Sequence, residues 1–174
     1  MSVDETSTAV LLQPQTEPGL WTMPADLVTF RRHGWNAAGL AVRMVPGDAA
    51  ATDAELFRTL ARCLDLPVTF GETWEFLDET LGAVDELIGL DAEVGLVIVI
   101  EHPEAVLSSG RLEQLVAVLA RAAHDWAAPV DDGDEWDRPA VPFHVVLAPD
   151  ERRTPAWAAR WLAAGATLHP LPTA

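Results

Sequence analysis

Between Leu66 and Leu90 the chain reads LPVTFGETWEFLDETLGAVDELIGL, with six carboxylates (Glu72, Glu75, Asp78, Glu79, Asp85 and Glu86) and no lysine or arginine. Carboxylates gathered this closely without counter-charges suit one chemical task above others, the binding of another protein's basic surface. The deficit extends beyond the segment, because neither basic type occurs from Cys63 to Gly110. A negative helix face is commonly no more than a solvated one. Two features argue for more here. Asp85 and Glu86 fall in the last turns of the expected helix, where the helix dipole disfavours anions. Glu75 and Glu79 lie four apart with no arginine at a compensating position, a like-charge spacing that costs a few tenths of a kcal/mol.

Catalytic alternatives are sparse. Glu101 and His102, in the stretch EHPE with Glu104, stand at the carboxyl end of an apolar strand, where α/β enzymes place their sites. They form no pattern with metal-ligand spacing. The sequence holds no glycine-rich phosphate loop, nucleophile elbow or Cys/His cluster. His144 lies inside a strand, where a packed core role is expected. Cys63 is the only cysteine, so no internal disulfide forms, and its neighbours Leu60 and Leu64 mark a buried helix position. The expectation is a binding protein without enzymatic activity, metal or cofactor.

Composition agrees. With 174 residues and 49% apolar content, the chain suits one domain with a real core. The net charge of −16 argues against nucleic acid or an anionic membrane as direct partner and favours a basic protein. All 11 basic residues are arginine. The amino-terminal stretch lacks a charged region followed by an apolar run, and GLVIVI is much too short to cross a membrane. A soluble cytoplasmic protein, monomeric when free, is expected.

The elements that must position the carboxylates follow from periodicity. Residues 1 to about 20 read as a polar, flexible lead-in. PADLVTFRRHG reads as a short helix with Gly34 just past its end. GLAVRMV is the first expected strand. TDAELFRTLARCLDLP is a helix opened by a Thr52–Glu55 capping box and stopped by Pro67. Residues 73–88 form a second helix, with Thr73 as N-cap. Its apolar seam is Trp74, Leu77, Leu81, Val84 and Ile88, and the opposite face holds Glu75, Asp78, Glu79, Gly82, Asp85 and Glu86. VGLVIVI is a β-branched run of the kind covered on both faces in parallel sheets. HPEAVLSS is a helical turn, GRLEQLVAVLARAAHDW a third long helix, and FHVVLAP the last core strand. TPAWAARWLAAG, with Thr154 as N-cap and Pro155 following, reads as an appended helix. The order predicts a three-stranded parallel α/β sheet flanked by helices, with an extra C-terminal helix.

LPVTFGETWEFLDETL resembles the signature of the barstar family of ribonuclease inhibitors, in which a Leu-Pro turn and an aromatic-Gly pair lead into an acidic helix. The likeness runs over roughly residues 34–148, through the capped helix, VIVIE, the helix from Gly110 and PFHVVL. Residues 1–33 and 149–174 then stand as N- and C-terminal extensions of that domain. The resemblance implies the same three-stranded fold and a basic microbial ribonuclease as partner, its active site plugged by the acidic helix and the loop before it. By motif it places Glu75 and Glu79 at the two main inhibitory positions. Thr69 and Phe70, with Gly71, Glu72 and Thr73, fall in and after the loop, Asp78 lies between the two glutamates, and Gly82 and Ala83 form the helix end. Both glutamates replace aspartates, Phe76 replaces an alanine, and Arg121 stands where the family has a further acidic contact. A barstar-like scaffold that binds some other basic protein is the alternative.

Overall fold

The computed structural model describes residues 3–15, 17, 19–66, 72–83, 87, 94–108, 110–131, 133, 137–150 and 156–173. In chain order these form α1 (Val3–Leu11), β1 (Leu20–Thr22), α2 (Ala25–Ala37), β2 (Leu40–Pro46), a 3₁₀ turn (Gly47–Ala49) and α3 (Asp53–Cys63). There follow α4 (Trp74–Gly82), β3 (Gly95–Glu101), α5 (Leu112–Ala127), β4 (Phe143–Ala148), α6 (Ala156–Ala163) and β5 (Leu168–Pro170).

The parallel sheet runs in the order β2-β3-β4-β1-β5. β3 explains its own position. Alternate side chains of a strand face opposite ways, and Leu96, Ile98 and Ile100 enter one core while Val97 and Val99 enter the other. β4 divides likewise, Phe143, Val145 and Leu147 on one side and Val146 and Ala148 on the other. The first core is closed by α3, α4, α5 and α6, the second by α1 and α2. Two apolar faces demand two helical layers, and the fold has them.

The expected sheet of three strands is in fact one of five. Both additional strands are three residues long and come from outside residues 34–148: β1 lies beside β4, and β5 beside β1. Their backbone groups continue the ladder that β4 would otherwise end, and Pro170, which lacks an N–H, suits the edge strand. Two other boundaries move. α2 passes through Gly34 to Ala37, because Val28, Arg31 and Trp35 form one buried stripe, a gain that outweighs the roughly 1 kcal/mol cost of a helical glycine. The chain reverses at Gly39, whose φ of 91° suits glycine. Residues 102–108 make turns rather than a helix, with left-handed His102 and Leu107.

α1 occupies part of the expected lead-in, and its Leu11 is fully buried. α6 is integral rather than appended. Trp161 is fully buried and its indole donates to the Pro103 carbonyl at 2.9 Å. The Arg160 guanidinium donates to the carbonyls of Glu104, Val106 and Leu107. The N-cap expected at Thr154, with Pro155, lies outside the described residues.

His144 is 1% exposed, as its strand position suggests. The Trp21 indole donates to Nδ1 at 3.0 Å, so the proton of the neutral ring sits on Nε2 and donates to the Gln13 carbonyl at 2.9 Å. Burial pushes the imidazole down to about 4, outweighing the carbonyls of Gln13 and Leu11, which favour the charged ring. An unfolded histidine titrates near 6.5, so the unfolded chain takes up the proton first. Stability is therefore full above pH 6.5 and falls by roughly 3 kcal/mol as pH drops towards 4. Urea unfolding across this window should show that slope, and His144→Gln should flatten it. Trp161→Ala should cost about 3–5 kcal/mol in the same assay, because it leaves a large cavity and an unpaired Pro103 carbonyl.

Candidate protein-binding surface

α4 begins at a capped and anchored end. Thr73 has extended backbone angles, and its hydroxyl accepts from the Phe76 amide at 3.2 Å. Trp74 follows as the first helical residue, 5% exposed, its ring edge-on to Phe57 at 5.2 Å. The Trp74 indole donates to Asp53 Oδ2 at 3.0 Å. Arg111 binds the same carboxylate through Nε at 3.2 Å and Nη2 at 3.0 Å, and its backbone amide reaches Oδ1 at 3.4 Å. Its guanidinium also lies 5.7 Å from the centre of the Trp74 ring. Asp53 opens α3, Trp74 opens α4 and Arg111 caps α5, so one carboxylate ties three helix starts together. Burial works against the charged carboxyl, but the bonds from Trp74 and Arg111 and the Arg111 charge hold it below its ordinary value.

The far end is fixed too: the Trp126 indole of α5 donates to the Leu81 carbonyl at 2.7 Å. Between the two ends Leu77, Thr80 and Leu81 are buried, and α4 packs chiefly on α5. The helix ends at Gly82, with Ala83 leaving helical geometry at ψ 81°, earlier than the expected residue 88. Val84, Asp85, Glu86 and Ile88 lie outside the described residues, while Leu87 is buried.

Of the expected outward face, Glu75 and Glu79 are exposed, Asp78 and Gly82 are half-buried, and Asp85 and Glu86 lie outside the described residues. Glu72 and Thr73 are likewise exposed, and Phe76 and Ala83 half-buried. Among the described residues Glu75 and Glu79 have no ion-pair or hydrogen-bond partner, whereas Asp78 Oδ2 accepts from Arg121 Nη1 of α5 at 2.7 Å. The segment without internal counter-charge thus receives one from a neighbouring helix. Thr69, Phe70 and Gly71 lie outside the described residues. Between the starts of α3, α4 and α5 a shallow groove of about 360 Å³ is lined by Glu72, Glu75, Phe57, Trp74 and Arg111.

Glu101 and His102 form no comparable assembly. His102 Nδ1 stands 3.4 Å from Glu104 Oε1. Among the described residues no group of three or more His, Cys, Asp or Glu side chains could hold a metal ion. No helix among them is long and apolar enough to cross a membrane.

A family model described as barstar (barnase inhibitor) matches residues 40–148. The chain belongs to the barstar family. Barstar-family proteins are inhibitors rather than enzymes and bind a ribonuclease. No curated protein matches the chain. Among solved structures it is similar to a chain of the Drosophila ORC bound to AT-rich DNA and Cdc6, at 15% identity and a TM-score of 0.42. That likeness covers 88% of this chain and 48% of the other.

Asp53 and Arg111 were not among the sequence candidates. The capping box one residue before Asp53 locates a helix start, but nothing local indicates that the tryptophan and the arginine converge on it. Asp53→Ala should lower stability by about 1–3 kcal/mol in urea and, in hydrogen exchange, loosen the first turn of α4 more than β3. Because the Asp53 carboxyl titrates below its usual value, its contribution is present above pH 3.8 and is lost as acid protonates it.

Proposed function

We propose that this protein inhibits a basic microbial ribonuclease inside the cell that makes it, seating the outward face of α4 in the enzyme's active-site cleft. The observation that carries the reading is the pair Glu75 and Glu79, exposed and without a partner among the described residues, on a helix packed and hydrogen-bonded from behind, in a barstar-family chain. A ribonuclease cleft is built to hold phosphate and is therefore cationic. Carboxylates fixed on a helix can take the place of those phosphates and block RNA sterically. No bond is made or broken.

The loop residues Thr69, Phe70 and Gly71, with Glu72 and Thr73, belong to the proposed contact, as do Asp78, Gly82 and Ala83 at its margins. Rigidity matters because association orders whatever is loose, and a helix clamped at both ends has already lost that freedom. The concentration of one charge sign speeds encounter with a cationic partner, and salt screens it. The longer glutamates reach further than aspartates would and need a cleft with its cations set deeper.

Inhibition of RNA cleavage by small, basic, secreted microbial ribonucleases is the decisive measurement. Glu75→Ala and Glu79→Ala should each weaken inhibition by about 30-fold or more, with unchanged melting temperature. Unchanged inhibition in both variants would remove α4 from the mechanism. A basic protein without nuclease activity as the bound species would favour the scaffold role instead.

A further inference from the structure

The face of α4 is not uniformly negative, and among the described residues a cation flanks it at Asp78 as well as at its start, where Arg111 lies. At about 100° per residue, Glu75, Glu79 and Gly82 share the outward side, while Asp78 is turned towards the flank of Trp74 and Leu81. That flank faces α5. Arg121 meets Asp78 Oδ2 there at 2.7 Å, with side-chain exposures of 65% for the arginine and 25% for the aspartate. Asp78 Oδ1 is buried without a hydrogen-bond partner among the described residues, so little of its charge reaches solvent. What projects at this margin is the guanidinium, its Nε and Nη2 engaged by no described residue. One turn further along α5, Asp125 lies beside Gly82, where an added Cβ would be 4.0 Å from its carboxylate. The two helices thus run side by side in the same direction, and their outer sides form one continuous surface.

We infer that Arg121 is a specificity determinant. The surface fits a protein partner whose cations oppose Glu75 and Glu79 and whose acidic or carbonyl group opposes Arg121 at the α5 margin. This rests on the inhibitory reading and narrows the partner it implies. A partner presenting an unbroken positive surface meets repulsion at Arg121, while one with an acceptor there gains charge-assisted hydrogen bonds. The half-buried Asp78 carboxylate accounts for one Nη of the guanidinium, while Nε and Nη2 do nothing for the fold among the described residues. A positive group beside two free carboxylates also lowers the attraction for cations in general, a cost that discrimination between partners offsets.

Two variants separate selection from packing. Asp78→Arg with Arg121→Asp keeps the ion pair but moves the cation onto α4, and Arg121→Ala removes it. Both are tested with the wild-type chain for inhibition of a panel of purified, small, basic microbial ribonucleases, at low and high salt, with melting temperature as the control for folding. The expected result is a swapped variant that melts within a few degrees of wild type yet inhibits a susceptible ribonuclease at least tenfold less well, the difference narrowing at high salt. Inhibition by Arg121→Ala of a ribonuclease that the wild type spares would support the inference equally. If the wild type inhibits and both variants inhibit the same enzymes equally well, Arg121 selects nothing, and the inhibitory reading stands alone. If no form inhibits any ribonuclease, both readings fall together.

Discussion

The Asp53 carboxylate is the interaction on which the acidic surface depends. α4 is nine residues long and carries two like charges one turn apart, so it is a poor helix by itself. Its order comes from behind and from its ends. Trp74, Leu77 and Leu81 bury its inner side, Asp53 receives the Trp74 indole at one end, and Trp126 reaches the Leu81 carbonyl at the other. The outward positions are thereby released from structural duty. Among the described residues no side chain or backbone group of the chain engages Glu75 or Glu79.

The chain's cations complete this division of labour. Arg31, 4% exposed, donates to Ser7 Oγ and to the Thr173 carbonyl, joining α1 and the C-terminal segment to α2. Arg138 donates to the carbonyls of Asp125 and Ala128, satisfying backbone groups that the end of α5 leaves open. Arg160 does the same for three carbonyls of the turns after β3. A planar guanidinium with five donors suits such multiple capping better than an ammonium would. These positive groups serve the interior backbone, and the carboxylates of α4 face outward largely uncompensated.

What was legible in the sequence had a local cause. The alternation in β3 and β4, the Thr52–Glu55 box and the spacing of Trp74, Leu77 and Leu81 each identify an element without reference to the rest of the chain. The same spacing placed Glu75 and Glu79 on the side away from that seam, and both are exposed. What was missed had a distant cause. LWT and LHP are too short to show a period and become strands only because β4 offers LWT a ladder and LWT in turn offers one to LHP. Gly34 reads as a stop until the burial of Trp35 is known, and the partnership of Asp53 with Arg111 exists only in three dimensions.

The placement of β1 has a consequence for assembly. Trp21 pairs with Val146 on one side and His169 on the other, although β1 precedes β2 and β3 in the chain. A ribosome delivers β1 long before its neighbours exist. It must stay out of premature pairings until β4 is made, and β5 has no place in the sheet until β1 has docked. Such distant closures are slow, since the entropy of joining far-apart segments is lost before their contacts form. During that interval β4 is an open, strongly apolar sheet edge, the kind of surface on which nascent chains stick to one another and to which chaperones bind.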